Sequence, residues 1–108
     1  MSRIPREEWA SQLNEFSKRN AGRATILEIQ EPKIGIREEQ VGYPLQGVSF
    51  DEDGNRITVF VGGETPTAPH VSHVSHRPRR VEILHRRDGQ DEALHIQDSF
   101  GAMLLALL

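Results

Sequence analysis

Apolar residues near the start of the chain recur at helical spacing. Trp9, Leu13 and Phe16 fall at i, i+4 and i+7 and so share one helix face. Pro5 suits a first helical turn, where a missing N–H costs nothing. Glu7 and Glu8 sit at the positive end of the helix dipole, Lys18 and Arg19 at the negative end. Asn20-Ala21-Gly22 supplies a stop, so the pattern predicts a helix over 5–19.

After Gly22 the period drops to two. Over 24–31, Thr25, Leu27 and Ile29 point one way and Glu28 and Gln30 the other, as on a half-buried strand. From Pro32 to Pro44 the alternation is interrupted by Gly35, Gly42 and Arg37-Glu38-Glu39, which reads as a long connection or an irregular edge strand. Two hairpins follow. A two-residue turn at Asp53-Gly54 sets Phe50 against Ile57 and Val48 against Val59. A second turn at Asp88-Gly89 sets Ile83 against Leu94, Val81 against Ile96, His85 against Glu92 and His95 against Glu82. Pro69 and Pro78 bracket a short strand, His70–His76, and Gly101 precedes a last strand over 102–108. One helix followed by six or seven short antiparallel strands is an α+β domain, the helix covering one face of a curved sheet.

The length of 108 residues fits that single domain, 1–108. With 36% hydrophobic and 27% charged residues the chain has too much apolar content for a disordered one. Having no cysteine, it cannot be a disulfide scaffold, a Cys-ligated zinc site or a Cys enzyme. No stretch approaches the ~20 apolar residues that span a bilayer, and MSRIPREEW lacks the apolar core of a secretory signal, so a cytoplasmic protein is expected.

Charge is uneven. Residues 70–87 hold five arginines against Glu82 alone, while the rest of the chain is acidic. Five histidines could carry the net charge from −3 to +2 on protonation. The arginines, Arg77, Arg80 and Arg86 among them, could meet an anion. Without aromatic residues for base stacking, a solvated strand is favoured over a nucleic-acid groove.

The histidines of His70-Val71-Ser72-His73-Val74-Ser75-His76 are the other unusual feature. On a strand His70 and His76 share a face roughly 20 Å apart and His73 faces the opposite way. A divalent metal such as zinc would therefore need His70 or His73 together with His85 or His95 from neighbouring strands. A solvent-facing strand is the plainer account. Glu92-x-x-His95 has the spacing of a helical di-metal motif but falls on a strand, where the two side chains diverge. No nucleophile elbow, phosphate loop or dinucleotide fingerprint occurs, which argues against an enzyme with no cofactor implied.

At PREEW, PLQGVSFD, FVGG, HVSH and DEALHI the chain resembles a family of small bacterial proteins of unknown function. The matching positions are Trp9, Pro44-Leu45, Gly47-Val48, Val61-Gly62, His70-Val71-x-His73 and Asp91-Glu92-Ala93-Leu94. The resemblance spans nearly the whole length in order and brings no catalytic residue with it. Family members tend to finish on a Thr-rich turn and a basic-capped strand, whereas this chain ends Asp98-Ser99-Phe100-Gly101 and then AMLLALL.

That last strand is apolar on both faces, Leu104 and Leu108 on one, Met103, Leu105 and Leu107 on the other. Such a strand must be covered twice or lend one face to another chain. The expectation is a non-enzymatic interaction module that pairs with a protein partner or a second copy through these residues.

Overall fold

Pro5 is extended (φ −60°, ψ 145°) and leads into a single 3-10 turn at Arg6–Glu8, so the α-helix proper, α1, begins at Trp9 and runs to Asn20. The computed structural model describes residues 2–33, 35–63 and 70–108. Among the described residues eight strands lie around α1: β1 (Ser2–Arg3), β2 (Ala24–Glu31), β3 (Gly35–Asp51), β4 (Arg56–Gly62), β5 (His70–His76), β6 (Arg80–His85), β7 (Asp91–Gln97) and β8 (Ala102–Leu107). They form one antiparallel sheet in the order β1-β6-β7-β8-β2-β3-β4-β5, which does not close on itself. The α+β class and the N-terminal helix agree with the sequence reading; the two-residue β1 is an addition to it.

The segment read as a connection or edge strand is the first part of β3, a central strand. Its residues 35–44 pair with β2, and Leu45–Asp51 pair with β4. Register shifts at Thr25/Ile26 and Leu27/Glu28 leave Gly42 and Glu39 without a partner across the ladder. Each extra residue shifts the period-two pattern by one, which is why the alternation is not visible there.

Past Leu45 the edge of β3 that faced β2 passes to the helix. Gly22 N–H donates to Leu45 O (2.8 Å) and Leu45 N–H to Arg23 O (2.9 Å). Val48 N–H donates to Ser17 Oγ at 2.8 Å; that hydroxyl lies 2.8 Å from Leu13 O and 3.0 Å from Val48 O, either of which can take its proton. Polar groups that a split sheet would leave bare are thus bonded by the helix and the turn that follows it. Docking buries Trp9, Leu13 and Phe16 to 2% exposure or less. They enter one core with Val81, Ile83, Leu94, Ile96, Leu105, Ile57 and Val59 from the sheet's inner face. Trp9 stands edge-on to Phe50 (centroids 5.2 Å apart, 78°) and donates its indole N–H to Ile4 O at 2.9 Å.

Both hairpins keep the expected faces together, with different turns. Phe50 faces Ile57 and Val48 faces Val59, but the loop is four residues, 52–55, with the left-handed φ (+49°) at Asn55 and not at Gly54. Asn55 N–H closes it onto Glu52 O, and Asp51 pairs with Arg56 across its base at 3.0 Å. In the second hairpin Ile83 faces Leu94 and Val81 faces Ile96, as expected. A register shift at Leu84/His85 then sets His85 opposite Asp91 instead of Glu92, and residues 86–90 form the loop. Arg86 therefore lies in that loop, off the strand that carries Arg80.

β8 is central, between β7 and β2. Met103, Leu105 and Leu107 are buried in the core and offer no surface, which removes them from the expected interaction set. Leu108 lies beyond the strand, 58% exposed, its N–H bonded to Ala24 O.

Candidate functional site

The inner face of the sheet is filled by α1, so the outer face is where the second apolar side of β8 must be explained. Its cross-strand neighbours line up. Leu84 lies opposite Ala93, Ala93 opposite Ala106, Ala106 opposite Ile26 and Ile26 opposite Val41. This apolar row crosses β6, β7, β8, β2 and β3 without a polar residue. The next row reads Glu82, His95, Leu104, Glu28 and Glu38; the one after it Arg80, Gln97, Ala102, Gln30 and Ile36. Val41 and Ile36 are 56% and 67% exposed, and Ile26, Leu84, Leu104 and Ala106 are half-buried by their neighbours in the sheet. The face is an apolar band bordered on one side by the row that holds Glu82 (7% exposed) and Glu28, with His95 opposite Glu82 as the sequence predicts.

A second site, which the sequence reading missed, lies on the inner side at the C-terminal end of α1. The bulge that leaves Glu92 unpaired turns the Asp91 side chain inward, where it is 6% exposed. Arg19 Nε donates to Asp91 Oδ2 at 2.9 Å and Asn20 Nδ2 to the same oxygen at 2.8 Å. His85 Nε2 lies 3.3 Å from Oδ1. Asn20 also donates to Phe16 O at 2.9 Å and accepts from Arg23, which in turn donates to Asp91 O at 3.1 Å. Two open cavities, of about 580 and 830 Å³, flank the Arg19–Asp91 pair. The signal in the sequence was the bulge, and nothing in its local residues announces one.

Burial pushes the Asp91 carboxyl up. The hydrogen bonds from Arg19 and Asn20, then the charges of Arg19 and His85, outweigh it and hold the group below its ordinary 3.8. A depressed folded-state pKa contributes stability that is present above the unfolded value and lost as pH falls through the folded one. Wild-type denaturation midpoints should therefore fall on acidification below about pH 5. In Asp91→Asn that acid limb should be shallower and the neutral-pH midpoint lower, as urea titrations across this range would show.

The histidines are dispersed. His70 and His73 are on β5 at the end of the sheet, His70 exposed and His73 on the inward-facing side opposite Val59. His85 faces Asp91 on the inner side, and His95 lies on the outer face. Among the described residues no three His, Asp or Glu side chains are placed to hold a metal ion. The arginines are dispersed as well. Arg77, with a left-handed φ of +54°, donates its N–H to Asn55 O; Arg80 lies 3.7 Å from Glu82; Arg86 borders the larger cavity beside Asp91. An apolar cleft of about 700 Å³ at the other end of the sheet, beside Phe100, involves none of these residues except His76.

Among the described residues no helix is long and apolar enough to cross a membrane. No curated protein and no solved structure matches the chain. A family model does, over residues 1–107, and on that coverage the chain belongs to DUF5335, a family of unknown function.

Proposed function

We propose that this domain is a non-enzymatic interaction module whose docking surface is the outer face of the sheet, and that its partner there is a second copy of the chain. The observation that carries this reading is the apolar row from Leu84 to Val41, with Leu104 beside it, on the face that α1 leaves bare. A sheet face with this composition gains by burial, at roughly 25 cal/mol for each Å² of apolar surface removed from water. A two-fold interface suits it, because the same band then serves both sides. Glu28, half-buried beside Leu104, would lie toward the rim.

Leu104→Lys tests it. In the monomer the new ammonium lies opposite Glu28 and is accommodated; inside an apolar interface it is a buried charge and is costly. The wild type should run as a dimer by light scattering and Leu104→Lys as a folded monomer, with the dimer dissociation constant raised at least about a hundredfold. A monomeric wild type, or a variant that still dimerises, overturns the reading.

A further inference from the structure

β5 ends the sheet, and among the described residues no strand pairs with its other edge, a feature that the outer-face reading does not use. Arg77 N–H bonds to Asn55 O at 2.9 Å, on the same line of pairing that sets His73 opposite Val59 and Ser75 opposite Ile57. In an antiparallel ladder the main-chain groups of successive residues point to alternate sides. The odd-numbered residues of β5 therefore give their N–H and C=O to β4, and His70, Ser72, Val74 and His76 turn theirs off the edge. All four of these side chains are exposed. Sheets commonly blunt such an edge with lysine, proline or a bulge. β5 contains no lysine or proline, and its pairing with β4 runs without a register shift.

Antiparallel pairing of this edge with itself has one register that uses the whole strand, centred on His73. In it Ser72 lies opposite Val74 of the second copy, and His70 opposite His76 of the second copy. Residues so opposed have Cβ atoms about 4.5–5.5 Å apart and side chains on the same face. Two imidazoles at that separation can each reach a zinc ion at ~2.0–2.1 Å. Two-fold symmetry makes two such clamps. The His70 ring leans over Gly63 on the β4 side, with its Cε1 and both ring nitrogens nearest to where a Cβ there would stand, so it must turn toward the free edge to reach the ion. Across β4 the neighbours of His70 and His76 are Gly62 and Arg56, neither of them a metal ligand.

We propose that β5 pairs edge to edge with β5 of a second copy, and that a nitrogen-preferring divalent ion such as Zn²⁺ clamps the pair between His70 of one copy and His76 of the other. This is a different surface from the outer face, and it stands or falls separately.

The experiment is sedimentation velocity and native mass spectrometry of the full chain with zinc alone and then with EDTA, on the wild type and on Leu104→Lys. In Leu104→Lys zinc should turn monomer into dimer with two ions per pair. In the wild type, whose outer-face dimer carries two β5 edges, the same pairing should link dimer to dimer with two ions per linked couple, and EDTA should reverse both. His70→Ala and His76→Ala should each lose the step, weakening association at least tenfold. Mixed together they should regain it with one ion per pair, because one clamp is then complete. Ser72→Pro should lose it with an unchanged circular dichroism spectrum, since that N–H faces off the edge and is not used within the fold. Zinc bound one to each unpaired chain, a step that survives His70→Ala, or a mixture that stays unassociated overturns the proposal. An EDTA-insensitive dimer abolished by Leu104→Lys would belong to the outer face alone.

Discussion

Phe16→Ala is expected to lower the stability of the domain by about 4 kcal/mol, within the range for removing a fully buried aromatic ring. Phe16 has no exposed surface, and it enters the core from the helix face that carries Trp9 and Leu13. The helix has few other holds. Its main-chain link to β3 runs through the hydroxyl of Ser17, and its C-terminal end is tied to Asp91 through Arg19 and Asn20. Those bonds contribute of order 1 kcal/mol each, so apolar burial dominates the docking. A domain of this size is stable by only about 5–15 kcal/mol, and the substitution removes a large share of that. The thermal midpoint should drop by roughly 20 °C, with the urea m-value unchanged if the native state stays intact. Phe100→Ala is the matching control: that ring is 73% exposed, and its loss should stay within about 0.5 kcal/mol. Equal effects at the two positions would mean that α1 is not docked as described.

The parts of this fold that could be read from sequence are those where a periodic pattern runs unbroken. Trp9, Leu13 and Phe16 identify their helix face because no glycine or proline interrupts it, and Asn20 ends it. The pairs Val48–Val59 and Ile83–Leu94 were readable because period two runs unbroken through them, from the turn in the first hairpin and beyond the Glu92 bulge in the second. The turns themselves were longer than an Asp-Gly signal implies, yet the apolar pairs kept their register, and of the expected pairs only His85–Glu92 shifted, to His85–Asp91. Bulges explain most of what was missed. Gly42 and Glu39 break the alternation in β3, so a central strand looks like a connection. Glu92 does the same in β7, and with it the inward turn of Asp91 is hidden. Strand order explains the rest. That His70 and His76 share a face follows from spacing alone, but that β5 ends the sheet, far in order from the β6 and β7 of His85 and His95, is a property of the whole chain. The outer-face row from Leu84 to Val41 has the same character, since its five residues come from five separate strands. Gly47, in the segment shared with the family resemblance, has no explanation in its space: a Cβ there would meet Ser17 only at 3.8 Å.

At Gly101 the space does give the reason, and Gly101→Ala should be among the most damaging single changes outside the core. A Cβ at this position would stand 2.1 Å from the carbonyl oxygen of Gln30, 3.2 Å from its carbon and 3.3 Å from Glu31 Cα. All three are main-chain atoms of β2, so no side-chain rotation relieves the overlap. Gly101 opens β8 just where Gln30 pairs with Ala102, and it is fixed from the other side by Asp98. The Asp98 carboxylate accepts from Gly101 N–H at 2.9 Å and from Phe100 N–H at 2.8 Å, while Gly101 O accepts from Asp98 N–H. Either the β2–β8 ladder parts at this end or the Asp98 turn is broken. The expected cost is about 3 kcal/mol, the upper range for forcing extra atoms into a packed site. Gly89→Ala separates this from a conformational effect. Gly89 has a φ of +90° and nothing within 4 Å of a would-be Cβ, so it should cost only the 1–2 kcal/mol of a left-handed backbone. Hydrogen exchange should show the Gly101 effect locally, as lost protection of the Gln30 and Ala102 amides well before global unfolding. If Gly101→Ala costs no more than Gly89→Ala and those amides stay protected, the close packing of β8 against Gln30 is not what holds this end of the sheet.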